Sequence, residues 1–195
     1  MGAFAGSAVE MAMPPIARMI LHADGSTTRL LEALLGQPLS LSLQEQQAAL
    51  AAAVAPEVRF ALGCAVTDEI MYRRSQLCTS AGAVVSSNEV TVVCRDPGIT
   101  ALLTDGSAPI GHALAAAGRQ LPRVLLASGW SAWPDNLERC VYKEYLFLDA
   151  AGDPVAHIRE RFNPVYVPSS EIRTHRAKTV GAGAGSAANG FVGRC

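Results

Sequence analysis

Hydrophobic and polar positions alternate along this chain with two periods. Leu30, Leu31, Leu34 and Leu35 fall on one side of a helix, Asp24, Ser26 or Thr27 can cap its start, and Gly36 stops it. Leu39, Leu41 and Leu43 then alternate with Ser40 and Ser42, which predicts a short half-buried strand. The Ala- and Gln-rich stretch 44–54 predicts a second helix, broken before Pro56. Residues 57–66 and 69–77 read as extended, with Thr67-Asp68 turning one into the other, and 83–94 follows as a further strand. Residues 97–103 form a short helix, 104–108 a loop, and Pro109 opens another helix in PIGHALAAAGRQL. GWSAWPDN, residues 129–136, reads as an irregular loop carrying both tryptophans. Neighbouring strands with short connections predict an antiparallel sheet flanked by helices, hence a single α+β domain.

The last hairpin carries the first hint of chemistry. Residues 141–148 are rich in aromatic and aliphatic side chains, AAGD turns the chain, and 155–162 runs back. A period of two puts His157, Arg159 and Arg161 on one face and Ile158, Glu160 and Phe162 on the other, so Glu160 points toward the core. A buried carboxylate is costly unless it is protonated, paired or hydrogen-bonded. Three explanations stand open: chemistry on a ligand, a register that is off by one near Pro164, or a core arginine that simply neutralises it. In YRRSQLC, Arg73 and Arg74 fall on opposite faces, and one of the two must point inward.

Length and composition narrow the class. A chain of 195 residues, half of them hydrophobic, suits one domain with a substantial core. The net charge of −1, without a basic run or stripe, argues against a nucleic-acid surface and for a small-molecule or protein partner. No apolar run is long enough to span a bilayer, and MGAFAGSAVEMAMPP lacks the basic flank and long apolar core of a signal peptide. Cys64, Cys78, Cys94, Cys140 and Cys195 include no CxxC pair, so reduced thiols in cytoplasm fit better than a zinc site or a disulfide framework. Cys78 and Cys94 read as apolar strand fillers, and His22, His112, His157 and His175 as surface or helix residues. Residues 1–15 read as a loose lead-in, 16–170 as the domain, and 171–195 as a Gly/Ala-rich flexible tail. The expected assembly is a monomer or weak homodimer.

Four pieces stand in order: DGSTTRLLEALLGQPL, YRRSQLC, PIGHAL and GDPVAHIRERFNP. Together they resemble the chorismate lyase (chorismate pyruvate-lyase) family, including its actinobacterial-type branch that makes hydroxybenzoate for secondary metabolism. The resemblance covers roughly residues 16–168 and implies one α+β domain with an antiparallel sheet. It implies that Arg73, in an Arg-x-x-x-Leu pattern with Leu77, binds a substrate carboxylate, with Arg74 as the fallback. It further implies that Pro109-Ile110-Gly111 is the turn that contacts the ligand, so Ile110 and Gly111 are binding residues. By the same resemblance Glu160, before the closing Phe-Asn-Pro, matches the family's catalytic or ligand-binding glutamate, and Ser26 stands where some members have a methionine against the ring.

The implied activity is cofactor-independent elimination of pyruvate from chorismate, giving a hydroxybenzoate, most simply 4-hydroxybenzoate. One C–O bond breaks and one ring proton is lost, a reaction that calls for neither metal nor redox group. A planar arginine suits a carboxylate better than lysine does. Glu160 would hold the ring hydroxyl or move a proton as the ether oxygen departs. Two alternatives keep the same scaffold: an enzyme acting on another small carboxylated substrate, and a non-catalytic ligand-binding domain of the kind carried by bacterial transcription regulators.

Overall fold

The computed structural model describes residues 13–170. Helix α1 spans Pro15–His22 and α2 Thr27–Leu35; strand β1 runs Ser40–Leu50 and ends in a 3₁₀ turn, Ala51–Ala53. Helix α3 is Pro56–Leu62, followed by β2 (Glu69–Cys78) and β3 (Val84–Val93). Helices α4 (Pro97–Thr104) and α5 (Ile110–Ala116) precede β4 (Arg123–Ala132), β5 (Arg139–Leu148) and β6 (Pro154–Phe162). The six strands form one sheet in the order β1-β2-β3-β6-β5-β4, antiparallel throughout. The fold class is α+β, a single antiparallel sheet flanked by helices.

The helix ends follow their local chemistry. Ser26 caps α2 by accepting from the Arg29 N–H at 3.4 Å, and Gly36 closes it in the left-handed conformation, φ 65°, where a side chain would be strained. Asp96 caps α4, accepting from the Gly98 and Ile99 N–H groups at 2.8 and 3.0 Å.

Three expectations are corrected. The Ala/Gln-rich stretch 44–54 is not a helix: β1 continues through it, pairing residue by residue with β2 from Ser40↔Cys78 to Leu50↔Glu69 apart from one shift near Gln44. Strand pairing along its whole length outweighs the modest helix preference of Ala and Gln. Residues 57–66 are not extended, because Pro56 at a helix start and Gly63 at φ 59° bracket α3. Residues 129–132 of the expected loop belong to β4, where Trp130 is paired with Val141 of β5, and Trp133 is buried just beyond. The expected lead-in and tail fall largely on 1–12 and 171–195, outside the described residues. Met13 is buried and Pro15 opens α1.

The core divides around the sheet. On one face, a cluster of α1, α2 and strand-end side chains, including Ile20, Leu21, Leu31, Val141 and Phe162, packs at one end. A second, built from Ile99, Leu103, Leu114, Val90, Phe147 and Ile158, packs under α4 and α5 at the other. A smaller cluster of Leu62, Val93 and Leu146 holds α3 against the opposite face.

Candidate functional site

Between the two large apolar clusters the sheet carries a row of polar side chains. Ser75 of β2 lies opposite Asn88 of β3, Asn88 opposite Glu160 of β6, and Glu160 opposite Lys143 of β5. All four are buried. Period-two geometry turns every member of such a row to the same face. Two residues along β2, Arg73 projects beside that row and is 0% exposed.

Arg73 is held by one nitrogen only. Its Nη1 donates to the carbonyl oxygens of Leu103 and Asp105 at 3.0 and 2.9 Å, which fixes the guanidinium against the end of α4. Its Nε and Nη2 are buried and have no hydrogen-bond partner. Burial lowers its pKa, and the nearby charge of Asp105 opposes that shift only in part. Arg74, the fallback, points to the opposite side, half-exposed, with its Nε 3.5 Å from a Glu45 carboxylate oxygen.

Glu160 is tied from several directions. The Thr27 hydroxyl donates to its Oε2 at 2.9 Å, and the Lys143 Nζ stands 3.7 Å from the same oxygen. Lys143 in turn donates to the carbonyls of Ile20 and Ala23 at 3.1 and 3.4 Å, so it bonds the carboxyl end of α1 to the floor of the site. Burial pushes the Lys143 ammonium below its ordinary pKa, against the pull of Glu160. The Tyr145 phenol, fully enclosed, is pushed well above its usual pKa, first by burial and then by the Glu160 charge and a hydrogen bond to it. The residue that neutralises Glu160 is therefore a lysine rather than the arginine that the sequence suggested as an alternative.

Arg73, Glu160, Ile110, Gly111 and Ser26 all line one cavity, together with Asn88 and Tyr145. Its open volume is only about 40 Å³. That accommodates ordered water but not an aromatic ring, for which a cavity on the order of 150 Å³ is needed. The roof is the contact between the starts of α2 and α5: a Cβ at Gly111 would collide with the Ser26 Oγ, so any larger residue there forces the serine to move. His112 Nε2 and Glu32 Oε2, 3.1 Å apart, clasp the same two helices one turn further on. Outside lies a larger cavity of about 770 Å³ that shares Ser26, Gly111, Arg123 and Phe147 with the inner one. The Arg123 guanidinium lies over the Tyr145 and Phe147 rings at 5.3 and 5.0 Å, and its Nη1 is buried without a partner.

No family model matches the chain, and no curated protein is similar to it in sequence. Solved structures are similar in shape. PhnF from Mycobacterium smegmatis superposes with a TM-score of 0.59 at 14% identity, over 75% of this chain and 67% of that one. The effector domain of PhnF gives 0.53 at 12% identity, over 71% and 88%. The ligand-binding domain of a candidate GntR-family transcriptional regulator from Bordetella bronchiseptica gives 0.53 at 14% identity, over 69% and 90%. The fold is chorismate lyase-like. At these identities the likeness speaks to fold alone.

Sequence reasoning missed Lys143, Asn88, Thr27 and Arg123. For Lys143 the signal was present: in VYKEYLF a period of two groups it with Val141, Tyr145 and Phe147, all buried here. His157 corrects another expectation, since it is a buried strand residue on the opposite face, 3.9 Å from Glu144. Cys94 lies just past the end of β3 and is only half-buried, whereas Cys78 is buried in β2. Among the described residues no group of His, Cys, Asp and Glu could hold a metal ion, and no helix is long and apolar enough to cross a membrane.

Proposed function

We propose that this domain binds a small carboxylate, with Arg73 as the anion seat and Glu160 at the far end of the same cavity. One observation carries the reading: a fully buried guanidinium with two unpartnered nitrogens. Unpaired buried donors cost free energy, and a planar carboxylate satisfies two of them at once through a two-pronged contact. The distal end, with a carboxyl acceptor held by Thr27 and Lys143, suits a ligand hydroxyl that donates a hydrogen bond. Tyr145, Phe147, Ile158 and Val90 supply the apolar walls for a ring between the two ends. Similarity of shape to effector and ligand-binding domains of regulators supports binding as the primary role. Ligand entry requires the Ser26–Gly111 roof to lift, merging the inner space with the outer one.

A second reading is catalytic: elimination of pyruvate from chorismate, with Arg73 holding a carboxylate and Glu160 positioning the ring hydroxyl or moving a proton. The convergence of Arg73, Glu160 and the Ile110-Gly111 turn on one cavity favours it. In that case the protein's contribution is largely orientation and exclusion of water. The test is to titrate purified protein with 4-hydroxybenzoate and, separately, to incubate it with chorismate while following pyruvate by chromatography. Binding without pyruvate release supports the first reading. Pyruvate formation in step with protein concentration supports the second, and absence of both defeats the pair.

A further inference from the structure

Asn88 occupies the centre of the polar row, and the functional reading above leaves it unused. It is 8% exposed, lines the cavity, and its Oδ1 is buried without a hydrogen-bond partner. Burying such a group between two apolar clusters is unfavourable unless something in the cavity completes it. On β6 its direct neighbour is Glu160, the acceptor at the distal end, and on β2 its neighbour is Ser75. Side chains opposite one another on antiparallel strands stand about 4.5–5.5 Å apart at Cβ, close enough to contact adjacent substituents of one ring.

The placement of Arg73 fixes which ring positions those are. It lies two residues along the strand from Ser75 and two strands away from Glu160. Strand rise and spacing put its Cα roughly 12 Å from that of Glu160. Once the Ser26–Gly111 roof lifts, one six-membered ring with its carboxylate toward Arg73 can span that separation. The edge of the ring far from the carboxylate then faces Glu160 and Asn88 together.

We propose that Asn88 is a specificity-determining residue that contacts the ligand, and that the ligand class is a ring carboxylate with two neighbouring hydroxyls, one at Glu160 and one at Asn88. The inference rests on the carboxylate reading of Arg73 and narrows it. A hydroxyl suits Asn88 whichever way the amide is turned, because it both donates and accepts. A ligand with a single distal hydroxyl satisfies Glu160 and leaves the Asn88 amide unpaired, so the site discriminates against it.

The experiment is calorimetric titration of the full chain with benzoate, 4-hydroxybenzoate and 3,4-dihydroxybenzoate, for the wild type and for Asn88→Ala. In the wild type the dihydroxy acid binds at least about tenfold more tightly than the monohydroxy acid. In Asn88→Ala that preference disappears, because the dihydroxy acid loses its partner and the monohydroxy acid no longer leaves an amide unpaired, and a cooperative urea transition reports that the variant is folded. Equal affinity of the wild type for the two hydroxy acids overturns the proposal without touching the carboxylate reading, as does a preference that survives in Asn88→Ala. Failure of the wild type to bind any of the three overturns both. Should Asn88→Ala not fold, Asn88→Ser takes its place, and the wild-type comparison stands by itself.

Discussion

Lys143 and Glu160 face each other across the β5–β6 pair, both buried, with Nζ 3.7 Å from Oε2. Neither charge has another buried partner of opposite sign in the polar row. Replacing Lys143 with Met therefore strands an ionisable carboxyl in the core and also frees the Ile20 and Ala23 carbonyls. Loss of one member of a buried pair costs about 3–5 kcal/mol. Urea unfolding of Lys143→Met should show a loss of that size, with at least half of it recovered in the Lys143→Met/Glu160→Gln double variant. A loss under about 1 kcal/mol would mean that the pair is not what holds this part of the sheet.

Arg73 leads to the opposite expectation for stability. Two of its nitrogens are buried without a partner among the described residues, and the only opposite charge acting on it there is that of nearby Asp105. Arg73→Met removes that burden at the cost of two hydrogen bonds to carbonyls. Replacement of buried charges by apolar groups is often neutral or stabilising. The unfolding free energy of Arg73→Met should be unchanged or up to about 2 kcal/mol higher, measured by the same urea titration. A marked fall would assign Arg73 to the framework rather than to a ligand.

The roof of the cavity is testable through Gly111. Adding a methyl group there drives it into the Ser26 hydroxyl, so Gly111→Ala should destabilise by about 1–3 kcal/mol. Ser26→Gly removes the obstructing oxygen and costs only a few tenths of a kcal/mol as a helix cap. In the double variant most of the Gly111→Ala loss should vanish. Simple additivity of the two changes would show that the clash is relieved elsewhere.

His157 makes stability depend on pH. Burial holds its imidazole below the ordinary value of 6.5, with Glu144 and Glu89 pulling upward and Arg159 downward. The unfolded chain therefore takes up a proton more readily than the folded one. The histidine imposes no penalty above 6.5, and the penalty grows as pH falls below 6.5 and is complete below the folded-state value. Thermal midpoints of the wild type should fall between pH 7 and pH 5 by more than those of His157→Gln. Parallel curves for the two proteins would rule out this histidine as a source of the acid sensitivity.

Much of this arrangement could be read from alternation. The β5–β6 hairpin and the inward Glu160 follow from a period of two, whereas alternation says only that one of Arg73 and Arg74 points inward, and the choice of Arg73 came from the family resemblance. Alternation failed where composition and pairing disagree. Residues 44–50 have helix-forming side chains, yet they continue an edge strand because β2 offers a partner along its length. The α3 helix was recoverable from Pro56 and Gly63, its terminal signals, and only a short run of mixed residues between them obscured it. The pairing of Lys143 with Glu160 needed the strand order. In sequence the two are 17 positions apart across a turn whose register decides whether they meet (160 − 143 = 17). The unpartnered atoms of Arg73 and Asn88 needed the packed helices as well, since nothing in the sequence states which donors the fold leaves unsatisfied.

Whether Arg73 is the anion seat of a ligand cavity is decided by calorimetric titration of 4-hydroxybenzoate into the wild type, Arg73→Lys and Arg73→Met. The wild type should bind saturably, and Arg73→Lys, which keeps the charge and loses the planar fork, should bind at least about tenfold more weakly. A folded Arg73→Met should show no measurable binding. Binding of equal strength to the wild type and Arg73→Met would contradict that role, as would a wild type that gives no binding heat with any of the small ring carboxylates.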